Sequence, residues 1–90
     1  MGKNNIKISD GVIYAIDATG VAIINKLDNS HFFISYPEAA VFLVLIENYD
    51  MKKSKQMLQA VLGMNKTDTS RYVSQCIKKW KDQKIFQQNG

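Results

Sequence analysis

The side chains with the strongest potential for chemistry are one cysteine, Cys76, and one histidine, His31. A thiol beside an imidazole can act as a nucleophile with its general base. Cys76, however, lies in the middle of an apolar stripe with helical spacing, which favours a buried thiol that packs as a small hydrophobic group. His31 precedes two phenylalanines, a position typical of an exposed strand edge or turn, with a ligand contact as the alternative. We therefore predict no catalytic pair.

The pattern also argues against metal and nucleotide sites. A metal site needs several closely spaced Cys, His or carboxylate ligands, and the chain has no CxxC or HxxxH spacing. Its five glycines are isolated and mark turns or ends, so they do not form a glycine-rich phosphate loop. We expect a non-enzymatic binding protein that uses no cofactor.

Length, composition and charge limit what the chain can bind. With 90 residues and 46% hydrophobic residues, it is expected to fold as one compact domain. The single cysteine favours a reducing cytoplasm, and no apolar stretch approaches the roughly 18 residues of a membrane span. Residues 1–51 contain three basic and six acidic side chains, whereas residues 52–90 contain nine and two. The basic second half should attract an acidic partner.

Three short runs of β-branched and aromatic residues predict strands at 12–16, 21–27 and 31–34. Turn-like residues separate them, and Gly20 in the first turn is expected to adopt a positive φ. The close spacing predicts an antiparallel meander, which is stable only when one face packs on an apolar element. In the third strand, Phe32 and Ile34 should share one face, and His31, Phe33 and Ser35 the other.

Helical signals follow the strands. Ser35 and Glu38 have the spacing of a capping box, which predicts that the first helix starts at Ser35. Asp50 should cap a second helix over residues 51–62 that ends at Gly63. The third helix is expected to follow the caps in residues 66–69, and its apolar stripe comprises Tyr72, Val73, Cys76, Ile77 and Trp80. The predicted order is βββααα, an α+β class in which helices cover one face of a three-stranded antiparallel sheet.

As a whole, this pattern resembles the PqqD-like family, also called RiPP recognition elements. The resemblance covers residues 11–86 and depends on the order and spacing of four features. These are the turn with Gly20, the strand Ala22-Ile23-Ile24-Asn25, the segment Phe33-Ile34-Ser35 before a helix with Ala39-Ala40, and the apolar close Lys84-Ile85-Phe86. It implies a single winged-helix-like peptide-binding domain over residues 11–86, between flexible termini at 1–10 and 87–90.

The resemblance also implies a function. The domain would bind the leader segment of a ribosomally made precursor peptide by strand addition and present it to a modifying enzyme, such as a radical SAM enzyme, a protease or a cyclase. The implied peptide-binding residues are His31, Phe32, Phe33, Ile34, Tyr72, Cys76 and Lys79. Leader anchors would lie beside Tyr72 and Cys76, and Lys79 would attract acidic leader residues. Self-association through the open strand edge is a further expectation.

A winged-helix nucleic-acid-binding protein is the alternative interpretation. Three helices, a small sheet and a basic last helix are common to both classes. Here, however, the strands precede the helices, and the third helix has a broad apolar stripe and few side chains suited to base edges. We therefore favour a cytoplasmic peptide-binding domain without a membrane partner.

Overall fold

The computed structural model describes residues 6–47 and 49–87, and the remaining residues of the predicted flexible termini lie outside this description. The elements are β1 (Val12–Asp17), β2 (Gly20–Asn25), β3 (Ser30–Ser35), α1 (Glu38–Ile46), α2 (Met51–Leu62) and α3 (Lys66–Asp82). The strands form one antiparallel sheet in the order β1-β2-β3, so β1 and β3 are its edges. This confirms the predicted βββααα order and the α+β class.

The β1–β2 turn depends on Asp17 and Gly20. The Asp17 carboxylate accepts hydrogen bonds from the backbone N–H groups of Thr19, at 2.7 Å, and of Gly20, at 3.1 Å. The expectation that Gly20 adopts a positive φ is wrong. The position needs glycine for space, because a Cβ atom there would lie 2.1 Å from the carbonyl oxygen of Ile34 in β3.

Helix α1 begins at Glu38 rather than at Ser35. Ser35 is the last residue of β3 and pairs with Gly20, and the N-terminal cap is Pro37, which makes no side-chain capping bond. The predicted capping box is therefore wrong, because sheet pairing holds Ser35 in an extended conformation. After Glu38 every residue of the helix is apolar, and Ala39, Val41, Phe42 and Leu45 are buried, so the helix packs centrally in the core.

The ends of α2 agree with the prediction, and the start of α3 does not. Asp50 accepts a hydrogen bond from Lys53 N at 2.7 Å, and Gly63 ends α2 with a φ of 67°. Helix α3 is capped by Asn65, whose side chain accepts from Asp68 N at 2.7 Å, so the predicted caps at 66–69 already belong to the helix. Asn65 precedes the helix with an extended backbone, which is the geometry that a capping side chain needs.

The core lies between the inner face of the sheet and the helices. Val21, Ile23 and Ile34 from the sheet are buried together with the predicted stripe residues Val73, Cys76 and Trp80 of α3. Trp80 packs edge-on against Phe42, with ring centroids 5.6 Å apart, and edge-on against Phe86 at 5.5 Å. Trp80 therefore packs at the centre of the core. Val61 of α2 is 62% exposed.

The segment before β1 lies against the segment after α3. Ile8 and Phe86 form an isolated antiparallel bridge, and Ser9 N donates to the carbonyl oxygen of Ile85 at 2.9 Å. Gln87 N donates to the carbonyl oxygen of Lys7 at 2.8 Å. Residues 7–9, placed by the sequence in the flexible N-terminus, thus pair with the apolar close at 85–86, whose two side chains are fully buried.

Candidate functional site

The first component of the candidate site is the backbone of β3 at the sheet edge. In an antiparallel pair, positions that exchange hydrogen bonds alternate with positions that do not. Tyr36 N donates to Thr19 O at 3.2 Å, so Tyr36 and Thr19 form a hydrogen-bonded pair. Steps of two residues along the register make Ile34 and Phe32 hydrogen-bonded positions too, paired with Val21 and Ile23 of β2.

The intervening residues of β3 therefore point their backbone groups away from β2. These residues are His31, Phe33 and Ser35. Because β3 is an edge strand, their N–H and C=O groups have no neighbouring strand among the described residues. This edge can accept an added strand.

The side chains of β3 alternate as the sequence predicted. Ile34 is buried and Phe32 is half-buried on the inner face, while His31, Phe33 and Ser35 are exposed on the outer face. The predicted site is therefore divided between two faces of the strand. His31 and Phe33 contribute edge backbone and outer-face side chains, whereas Phe32 and Ile34 border the core.

The second component is one face of α3. Tyr72, Cys76 and Lys79 are spaced by four and three residues, so they lie on the same side of the helix. Tyr72 and Cys76 form a side-chain hydrogen bond. Cys76 belongs to the same buried core cluster as Ile34, and Tyr72 and Phe32 both pack against that cluster. The Glu38 carboxylate, three residues after the end of β3, lies close enough to Tyr72 and Cys76 to act on both groups electrostatically.

Burial controls the protonation of this face. Burial of Cys76, together with the nearby Glu38 carboxylate, raises the pKa of its thiol to about 11. Burial also raises the pKa of the Tyr72 hydroxyl, with smaller contributions from Cys76 and Glu38. Both groups are therefore neutral near pH 7. A protonated thiol is a poor nucleophile, so the chemistry of this face is that of apolar and hydrogen-bonding contact.

Lys79 is paired within the chain. Its ammonium group forms an ion pair with the carboxylate of Glu38, the first residue of α1. This pair connects residues 41 positions apart in sequence and joins α1, directly after β3, to the Tyr72–Cys76 face of α3. Glu38 was assigned only a capping role from the sequence, since no local pattern links it to Lys79. An acidic ligand near Lys79 has to compete with this carboxylate.

Other basic side chains of α3 also have carboxylate partners. Arg71 lies 3.8 Å from Asp68, and Lys78 lies 3.5 Å from Asp82. These exposed pairs are each weak, at about 0.2–1 kcal/mol. They nonetheless reduce the positive charge that α3 presents to a phosphate backbone, which weighs against the nucleic-acid alternative.

Among residues 6–47 and 49–87, no group of three or more His, Cys, Asp and Glu side chains could hold a metal ion. No helix in that part of the chain is long and apolar enough to cross a membrane.

The fold is shared with a solved structure, that of TbiB1 in complex with the TbiA(beta) leader peptide. The TM-score is 0.84, and the match covers 93% of this chain and 98% of the TbiB1 chain. The sequences are 14% identical, so the likeness concerns the fold. No protein-family model and no curated protein matches the sequence. The likeness confirms the predicted fold, a three-stranded antiparallel sheet followed by three helices.

Proposed function

We propose that this protein binds the leader segment of a ribosomally made precursor peptide by strand addition to β3, against α3, and presents it to a modifying enzyme. The observation that carries this proposal is the open edge of β3, in a fold shared with a protein solved in complex with a leader peptide. The Tyr72–Cys76 face of α3 packs on the same core as the inner side of β3. Addition of an extended peptide to a sheet edge is a common mode of peptide recognition.

The register of β3 specifies how the leader would pair. Its backbone would hydrogen-bond with the outward N–H and C=O groups of His31, Phe33 and Ser35. Because strand side chains alternate, every second leader residue would point to the inner side, beside Phe32 and Ile34. Those leader residues would be apolar, since the inner side borders the core cluster.

The face of α3 would contact the same leader residues. Tyr72 supplies an amphipathic ring, and Cys76 supplies an almost buried apolar surface with 3% exposure. Lys79, at the margin, would attract an acidic leader residue in competition with Glu38. Backbone pairing would thus supply most of the affinity, and these side chains the selectivity.

The modifying chemistry would belong to the partner enzyme, for which a radical SAM enzyme, a protease and a cyclase are the candidate classes. Cys76, the single cysteine, has a pKa of about 11 and is not poised as a nucleophile. The role of this chain would be to raise the local concentration of the precursor at the enzyme. Self-association through β3 would use the same backbone groups and would compete with the leader.

The test uses synthetic peptides of about 20 residues that tile the short open reading frames beside the gene. An extended chain of that length reaches about 66 Å, more than the 37 Å longest dimension of the fold. Fluorescence anisotropy should identify one segment that binds. Amide hydrogen exchange should then show new protection at His31, Phe33 and Ser35, because a strand has been added there. The amides of Phe32 and Ile34 should change little, since they already bond to β2. Binding without protection at the three edge amides would contradict strand addition.

A further inference from the structure

The sheet face that points away from the helices is unusually apolar. A solvated face of an antiparallel sheet normally carries polar side chains that alternate with the core residues. The middle of this face instead carries Ile13, Ala15, Ala22, Ile24 and Phe33, together with His31. Ile13 and Phe33 are 50% and 52% exposed. A contiguous exposed apolar surface of this kind indicates an interaction site.

The strand register arranges these side chains in two rows across the sheet. One row consists of the larger Ile13 and Ile24 with His31, and the other of the small Ala15 and Ala22 with Phe33. A charged side chain lies beyond each row, at opposite ends of the strands. Asp17 lies beyond the alanine row, and Lys26 lies beyond the isoleucine row, where its backbone N–H donates to Gly11 O at 2.8 Å. The face therefore has an isoleucine row with a basic end and an alanine row, which ends in Phe33 at β3, with an acidic end.

We propose that a second copy of this chain occupies the outer face, with the two sheets packed face to face. The two-fold axis would lie in the plane between the two sheets. It would run across the strands, parallel to the two rows and midway between them. Each strand would then lie over the same strand of the other copy with its direction reversed. Ile13 would lie over Ala15 of the second copy, Ile24 over Ala22, and His31 over Phe33. The axis would also bring the acidic end of each copy to the basic end of the other.

Charge selects this axis over the other two-fold arrangement of the sheets. An axis parallel to the strands would place Lys26 near Lys26 of the second copy and Ile24 over Ile24. The perpendicular axis instead brings Asp17 near Lys26 of the second copy and places Ile13 and Ile24 over alanines. Hydrogen bonds from Thr19 and Gly20 lower the pKa of the Asp17 carboxyl, so it is charged at neutral pH.

The size of the face predicts a weak dimer. With three strands about 4.8 Å apart and six residues at about 3.4 Å each, the footprint is about 300 Å² per copy. Interfaces that bury less than about 1,200 Å² in total are weak and transient. Association should therefore depend on protein concentration. The outward backbone groups of β3 stay outside this contact, so the proposal does not depend on leader binding.

Sedimentation velocity of the full chain, over an approximately hundredfold dilution series, tests the proposal. We expect the average mass to rise toward that of a dimer with concentration. Ile24→Lys and Ala22→Asp should each weaken dimerisation by about tenfold or more, because each buries an unpaired charge. An equal mixture of the two variants should associate again, since the introduced lysine lies over the introduced aspartate. Ile16→Lys is the matched control, because Ile16 is 57% exposed and points to the inner side of β1.

Circular dichroism and thermal unfolding of each variant would establish that it is folded. A chain that stays monomeric at the highest concentration overturns the proposal, as does association that survives Ile24→Lys. Association that is lost in Phe33→Pro and kept in Ile24→Lys would assign the contact to the β3 edge and overturn the outer face. A mixture of Ile24→Lys and Ala22→Asp that fails to associate would overturn the perpendicular axis.

Discussion

Phe33 and Ile34 are consecutive residues of β3, yet their backbone amides point to opposite sides of the strand. The N–H of Ile34 faces β2, where Ile34 pairs with Val21, whereas the N–H of Phe33 faces the open edge. The same residues differ in burial, since Ile34 is 6% exposed and Phe33 is 52% exposed. Substitutions at these two neighbours therefore separate binding from folding.

Phe33→Pro should weaken leader binding while the protein stays folded. Proline is tolerated in edge strands where its missing N–H would face solvent, so the cost in stability should be about 1 kcal/mol or less. Loss of one hydrogen bond to the leader should weaken binding by at least about tenfold. Phe33→Ala is the control, because it removes the ring and keeps the amide. Unchanged affinity of a folded Phe33→Pro protein, measured by anisotropy, would exclude strand addition at this edge.

Ile34→Pro should instead unfold or strongly destabilise the domain. It removes an internal ladder hydrogen bond and replaces a side chain that lies in the core, at a cost of about 3 kcal/mol or more. Thermal unfolding followed by circular dichroism measures this cost. A melting temperature close to that of the wild type would show that the deduced register of β3 is incorrect.

Substitutions at the Glu38–Lys79 pair should change the affinity for an acidic leader in opposite directions. Glu38→Gln removes the competing carboxylate and should strengthen binding, whereas Lys79→Ala leaves Glu38 alone and should weaken it. Each effect should be a few-fold, since both side chains are partly exposed. Lys52→Glu is the control, because Lys52 lies on the exposed side of α2 and should leave affinity nearly unchanged. Changes of the same sign for Glu38→Gln and Lys79→Ala would argue against a direct charge contact.

The thiol of Cys76 should make the protein less stable at alkaline pH. Its pKa is raised by burial from 9.0 to about 11, so above pH 9 the unfolded state loses a proton that the folded state keeps. The stability that Cys76 contributes is therefore complete below pH 9 and is lost as the pH rises toward 11, by up to about 3 kcal/mol. Denaturant unfolding at pH 8 to 11 should show this loss in the wild type and a smaller one in Cys76→Ala. Equal slopes would contradict a desolvated thiol.

Cys76→Ala should retain function at neutral pH. It removes a small buried group and should cost stability through packing alone. Leader binding and support of the modification reaction, in a system reconstituted with the partner enzyme, should be unchanged. A folded Cys76→Ala protein that binds leader but no longer supports modification would assign a chemical role to the thiol.

Sequence reasoning was accurate where a signal is local. Asp50 and Gly63 mark the two ends of α2, and each does so through a hydrogen bond to a residue three or four positions away in sequence. The alternation in β3 likewise separated Phe32 and Ile34 correctly from their neighbours. It failed at Ser35, where a local capping pattern was overridden by pairing with Gly20, a residue from another strand.

The composition of the site itself depended on long-range contacts. The Glu38–Lys79 pair connects positions that have no shared periodicity, so no pattern along the chain could identify it. The family resemblance pointed to Lys79 and to the strand edge. It did not point to Glu38, whose carboxylate neutralises Lys79. The outward-facing amides of β3 could be identified only from its register with β2. A shift of one residue would exchange the amides that face β2 with those that face the open edge.

The dependence of binding on salt should separate peptide recognition from nucleic-acid binding. For DNA, the affinity falls steeply with salt, because each phosphate contact releases a counterion. On α3, Arg71, Lys78 and Lys79 already have carboxylate partners, so DNA contacts would compete with these pairs. We therefore expect weak binding to duplex DNA, without sequence preference, that largely disappears at physiological salt.

Leader binding should behave differently over the same titration. Backbone pairing at β3 and apolar contacts beside Tyr72 and Cys76 are little affected by screening, which acts mainly on exposed charges such as Lys79. Raising salt from about 50 to 200 mM should therefore lower leader affinity only a few-fold, whereas a protein with many phosphate contacts would lose about a thousandfold or more. Anisotropy titrations of a labelled leader and a labelled duplex at both salt concentrations measure the difference. Tight, sequence-selective DNA binding at the higher salt, together with no peptide binding, would replace the leader-binding proposal with the winged-helix one.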